Sequence, residues 1–159
     1  MPAAPFDEPT AHRWFAVEFN NQAWELVERS EISPDEVDAM VHLAHATCIH
    51  WLSVGSIVNQ VRGQSLLATV YSKAGFGEAA VRHAEKCIQL SEVADDQTTP
   101  FDRAVVHGAA ANAYACRGDF VRAREQHLIA MAAAKGIEDS DDLALLGRLY
   151  PPPTSHAEI

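Results

Sequence analysis

The sequence predicts an all-α protein: about seven helices, arranged as antiparallel pairs stacked into a short superhelix or bundle. Three observations predict it. Apolar residues recur at three- and four-residue spacings along most of the 159 residues, which is the period of an amphipathic helix. Two stretches, Ser33-Pro34-Asp35-Glu36 and Thr99-Pro100-Phe101-Asp102, place a hydroxyl cap, a proline and an acid in the order that opens a helix. No segment alternates apolar and polar residues as a half-buried strand does.

The elements follow in order. Trp14, Phe15, Val17, Phe19, Ala23, Trp24, Leu26 and Val27 paint one wide face of a first helix over about 11–29. Ser33 caps a second helix, Pro34 suits its first position and Glu36 completes a capping box. That helix continues through Trp51 or Leu52 and stops before Gly55. A third helix spans about 57–74 and ends at Gly75, and a fourth spans about 78–92 before the polar stretch 93–99. Thr99 opens a fifth helix that reaches Arg117, where Gly118-Asp119 breaks it. The sixth runs over about 121–135 and stops at Gly136. Ser140-Asp141-Asp142 caps a short seventh that carries Leu143, Leu146, Leu149 and Tyr150. Pro151-Pro152-Pro153 ends it, and the tail 151–159 is expected to be loose. These elements form one helical domain over 1–150.

Composition narrows the class. Twelve Lys and Arg against 22 Asp and Glu give a net charge of −10, and nine of the acids fall within residues 1–60 beside only two bases. An acidic front half repels phosphate, so neither nucleic acid nor an anionic membrane surface is expected as a partner. A chain of this length hides about 69% of its unfolded surface on folding, and 48% hydrophobic residues fill that core without metal or disulfide. Cys48, Cys87 and Cys116 stand apart, with no CxxC pair, which suits free thiols in a reducing cytoplasm. The acidic, Pro-rich start Met1–Glu8 shows no signal-peptide pattern. The longest run without charged residues, 39–61, holds His42, His45, His50, Asn59 and Gln60, which are costly in lipid. It is expected to be a buried helix, a turn and a helix start.

Two windows share a spacing. Ala68, Tyr71, Gly75 and Ala80 stand in the same order as Ala111, Tyr114, Gly118 and Ala123. The small residues let paired helices approach, the tyrosines fill the space between them and the glycines make the turn. This order resembles the tetratricopeptide repeat, a unit of two antiparallel helices, over about 57–135, with 10–53 as a divergent leading pair and 140–150 as a capping helix that covers the exposed end of the last pair. The windows depart from the family in three ways. Their offset, Gly75 to Gly118, is 43 residues against 34 in the family. Ala84 and His127 replace its second-helix aromatic, and Glu92 and Lys135 replace its terminal proline. A further segment, Ala44–Trp51, resembles one that recurs in bacterial helical proteins and brings no activity with it.

The resemblance implies a concave binding face set by alternating positions of each first helix. Carried onto this sequence these are Arg62, Ser65, Thr69, Ser72 and Lys73, then Val105, Gly108, Asn112, Ala115 and Cys116. Arg62 and Asn112 are suited to hydrogen-bonding a peptide. The Lys/Asn set with which some members clamp a chain-terminal carboxylate is mostly replaced here by Ser65, Thr69 and small residues. A groove so lined fits a packed helix or a small apolar ligand.

The histidines offer a second reading. Asp38, His42 and His45 share one stripe of the second helix, a spacing from which His and carboxylate reach one transition metal. The bland reading of the same stripe is structural, and His50 beside Ile49 and Trp51 reads equally as a core histidine. Convergence of His42, His45, His50, Trp51 and His107 would create a pocket for a small enzyme or a ligand or metal sensor. Cys48 lies mid-helix, away from anything that would activate a nucleophile, and no Gly-rich phosphate loop is present. The leading expectation is a cytoplasmic, non-catalytic binding or scaffolding module with a protein or peptide partner, able to pair as a homodimer through exposed helix faces, with no cofactor and no metal.

Overall fold

The computed structural model describes residues 4–154, and within them the chain is all-helical. The helices are α1 (Glu8–Glu28), α2 (Pro34–Val54), α3 (Ile57–Lys73), α4 (Gly77–Ala94), α5 (Pro100–Arg117), α6 (Phe120–Ala134) and α7 (Ser140–Leu149), with one 3-10 turn at Asp95–Gln97. No strand occurs among the described residues. Residues 1–3 of the acidic start and 155–159 of the expected loose tail lie outside the described residues.

Caps set the boundaries. Asp7 accepts from the Thr10 amide at 3.1 Å and Pro9 sits in the first turn, so α1 begins three residues earlier than periodicity alone indicates. In α2 the Ser33 hydroxyl accepts from the Glu36 amide while Glu36 accepts from the Ser33 amide at 2.8 Å, the reciprocal box that satisfies two orphan donors. Thr99 and Asp102 do the same for α5. α7 is capped by Asp139, whose carboxylate accepts from the Asp141 and Asp142 amides at 2.8 and 3.0 Å, so Ser140, the expected cap, is the first helical residue instead.

The helices pack in consecutive pairs, α1 with α2, α3 with α4 and α5 with α6, while α3 also packs on α2 and α5 on both α3 and α4. Connections this short make paired neighbours antiparallel. Alanine dominates the seams: Ala68, Ala80, Ala84, Ala104, Ala109, Ala110, Ala111 and Ala123 are buried. Met40, Ala44, Leu66, Leu67 and Val70 form a second cluster under α1. The two turns inside the later pairs are alike. Gly75 has φ +82° and Gly118 φ +88°, the left-handed region that glycine enters without strain. Each glycine amide bonds back three residues, and the following amide reaches the carbonyl of Tyr71 or Tyr114 at 2.9 Å.

The placement of α7 differs from the expected one. It does not cover the end of the last pair, where Val121 and Leu128 of α6 stay 62% and 69% exposed. It lies against α5, and Tyr150 just beyond its end reaches α3. The outer stripe of α6 is interrupted by Arg122, Arg124 and Glu125. The face of α3 and α5 instead offers a hole and two polar anchors, which draw α7 there.

Candidate functional site: the face of α3 and α5

The hole is at Gly108. A Cβ on that residue would stand 2.7 Å from the Tyr150 ring, so only glycine leaves the space that the ring fills. Tyr150 is 1% exposed, and burial raises its phenol above the ordinary value. Its oxygen lies 2.9 Å from Thr69 Oγ1. Thr69 spends its one proton on the Ser65 carbonyl at 2.8 Å, which leaves Tyr150 as the donor. Asn112 Nδ2 donates to the Leu149 carbonyl at 3.0 Å, one of the orphan carbonyls at the end of α7. Thr69, Asn112 and Gly108, three of the positions carried over by the resemblance, therefore hold a helix end between them.

Other positions carried over by the resemblance have separate tasks. Arg62 makes a bidentate contact with Asp102, Nε to Oδ1 at 2.8 Å and Nη2 to Oδ2 at 3.1 Å. Asp102 is the same residue that completes the α5 cap through Thr99. Burial pushes its carboxyl up, but the hydrogen bonds from Arg62 and Thr99 and the Arg62 charge hold it below the ordinary range. Ser65 is buried and donates to the Arg62 carbonyl at 2.8 Å. Lys73 donates to the Arg29 carbonyl at 2.6 Å, tying the end of α1 to α3. Beside α7, a cavity of about 450 Å³ opens between α1, α3 and α5, with Trp24, Arg62, Ser65, Asp102, Val105 and Leu149 in its wall.

The structure does not bring the histidine pocket together. His45 Nε2 lies 2.8 Å from the Tyr71 hydroxyl, and the Tyr71 ring stacks on His83 at 5.4 Å with 2° between planes. His83 Nδ1 in turn lies 2.8 Å from Gln64 Oε1, an acceptor, so His83 donates. Burial, with the neighbouring charges of His45 and Arg82, pushes His83 down to about 4. His45 is also lowered, by burial first and then by His42. His50 turns to α1 instead, 2.8 Å from His12 and stacked on Phe15 at 5.4 Å. The divergence is geometric: five residues separate His45 from His50, about 140° around a helix. His107 bonds Gln126 at 2.7 Å, at the α5–α6 seam, and Trp51 stands at the end of α2 beside Gly55. Asp38 and His42 are exposed, and among the described residues no three His, Cys, Asp or Glu side chains are grouped to hold a metal.

The thiols are quiet. Burial pushes Cys48 and Cys87 up to about 12 and raises Cys116. Cys87 is fully buried and donates to the Val61 carbonyl at 3.2 Å.

Two features went unread in the sequence. One is the seat of α7. The other is a swapped pair: Gln64 and His83 bond across α3–α4, and His107 and Gln126 bond across α5–α6. Each position differs from its counterpart by 43, the offset already seen between the two windows, so that signal was present.

No helix of the described residues is long and apolar enough to cross a membrane. No family model, no curated protein and no solved structure matches the chain.

Proposed function

We propose that the protein is a non-catalytic binding or scaffolding module of the tetratricopeptide-like type, which takes a protein or peptide partner on the concave face of α3 and α5. The observation that carries this reading is that Thr69, Gly108 and Asn112 already engage a helix through a side-chain hydroxyl, a ring-sized hole and a backbone carbonyl. Such a mixture of one apolar pocket and a few placed polar groups is how helix-in-groove sites work. The matching glycine turns and the swapped His–Gln bonds support the repeat-like character. A homodimer through exposed helix faces belongs to the same reading: Trp14, Phe15 and Val17 on α1 are exposed. The enzyme or sensor reading needs His42, His45, His50, Trp51 and His107 in one pocket, and His45, His50 and His107 each engage a different partner, Tyr71, His12 and Gln126, so no observation favours it.

The test is to pan a displayed library of helical peptides against the full chain and map the binders. Arg62→Ala is expected to weaken selected binders about tenfold or more, while His45→Ala leaves them unchanged. Binders indifferent to Arg62 but lost in His45→Ala would overturn the concave-face assignment.

A further inference from the structure

We infer that α7 occupies the seat of the partner, and that the partner is an amphipathic helix whose C-terminal turn carries two apolar pairs, as in Leu145-Leu146-x-x-Leu149-Tyr150. The inference rests on the concave-face reading and names what that face recognises.

Three observations specify the ligand. Leu146 and Tyr150 are fully buried and Leu145 and Leu149 partly so, whereas Leu143, Ala144, Gly147 and Arg148 are exposed. The engaged stripe is thus two adjacent pairs one turn apart. The aromatic is required by the hole at Gly108, which a shorter side chain would leave empty, and by Thr69, whose spare lone pairs need a donor. Asn112 reads the end of the helix, because its amide takes a carbonyl that the interior of a longer helix would already have used. The face therefore selects a helix that stops there, as α7 does before Pro151.

Two further features make α7 a removable occupant. It has ten residues, Ser140–Leu149, fewer than a helix needs to stand alone in water, and residues 135–139 alone connect it to α6. The walls of the groove have supports besides α7: α3 is held by α2 and α4, and α5 by α3, α4 and α6. A docked α7 lowers the apparent affinity of an incoming helix by the fraction of chains in which the seat is open, so an occupied fraction near 99% costs about a hundredfold.

The probe is a fluorescein-labelled peptide of residues 139–154, titrated by anisotropy into the full chain. Weak binding to the parent chain and at least tenfold tighter binding to Tyr150→Ala, whose own helix fills the seat less well, are expected. The same peptide with alanine in place of its tyrosine should not bind. A Tyr150→Ala chain that keeps its helical circular dichroism, yet binds the peptide no better than the parent, would show α7 to be a fixed part of the fold. Should Tyr150→Ala not fold, hydrogen exchange on the unaltered chain decides. Amides of α7 exchanging at least a hundredfold faster than those of α5 support a separate opening, and equal protection in both refutes it. Display-selected binders that need Arg62, together with a peptide that finds no seat, would remove this inference and leave the concave-face reading standing. Binders that ignore Arg62 would remove both.

Discussion

The α3–α4 and α5–α6 pairs place the same two side chains at the same two positions in opposite order. In the first pair glutamine stands on the leading helix and histidine on the returning one, and in the second the order is reversed. The bonds are 2.8 and 2.7 Å long, so the seam tolerates either arrangement. The tyrosines show the same economy. Tyr71 meets His45 and Tyr114 meets Glu85, each on the second helix of the pair before. Surroundings make the difference. Tyr71 stacks on the His83 imidazole and meets that of His45 edge-on, whereas Tyr114 lies under the guanidiniums of Arg117 and Arg122 at 5.3 and 5.6 Å. The backbone plan is common to both pairs, and their proton chemistry is local.

Three measurements break or sharpen that comparison. The largest effect is expected from overpacking the seams. Ala68→Leu and Ala111→Leu each insert bulk at fully buried alanines, and each should cost about 1–3 kcal/mol in urea unfolding. A large loss at one site and none at the other would show that the two seams are not built alike.

Next come the tyrosine hydroxyls. Tyr71→Phe and Tyr114→Phe each remove one inter-pair hydrogen bond and should each cost about 1 kcal/mol, read as a fall in the unfolding midpoint. Equal small losses support equivalent roles. An unaffected Tyr71→Phe would mean that its stacking on His83, not its hydroxyl, holds the seam.

The smallest effect is one of pH. His83 is held near 4 in the fold, against 6.5 for the free side chain, so the unfolded chain binds more protons between those values. The neutral ring's contribution is whole above about pH 6.5 and is lost as pH falls toward 4. His45, lowered in the same direction, adds to it. After screening of a partly exposed ring, the loss attributable to His83 is under about 1 kcal/mol. His83→Gln, which keeps an amide partner for Gln64, should flatten stability between pH 6.5 and 4. A pH profile identical to the parent's would mean that His83 is not the group that titrates.

Local signals in the sequence were sufficient for the helices. Ser33 with Glu36 and Thr99 with Asp102 satisfy backbone groups within one turn, so their meaning does not depend on the rest of the fold. Gly75 and Gly118 are legible for the same reason. What stayed hidden is what depends on azimuth between helices. The Asp38, His42 and His45 spacing describes one face of one helix, but nothing in it says that His45 will meet Tyr71 while His50 turns to His12. The position of α7 was hidden for a related reason. An apolar stripe states that something must cover it, and only Gly108, Thr69 and Asn112 together say what. Arg62 and Lys73 were recognisable as polar residues on the leading helix, yet their tasks, an ion pair with the α5 cap and a tie to α1, are contacts 40 and 44 residues away.

The buried thiols have a consequence for kinetics. A disulfide reagent reacts with thiolate, and a thiol held near 12 beneath two helices offers almost none. Cys87, bonded to the Val61 carbonyl across the α3–α4 seam, becomes a nucleophile only when that seam parts. The rate at which the unaltered chain is labelled there is thus a clock for its opening. With the reagent in excess, labelling keeps time with the separation of the helices themselves, and with the reagent scarce it weighs how seldom they are apart.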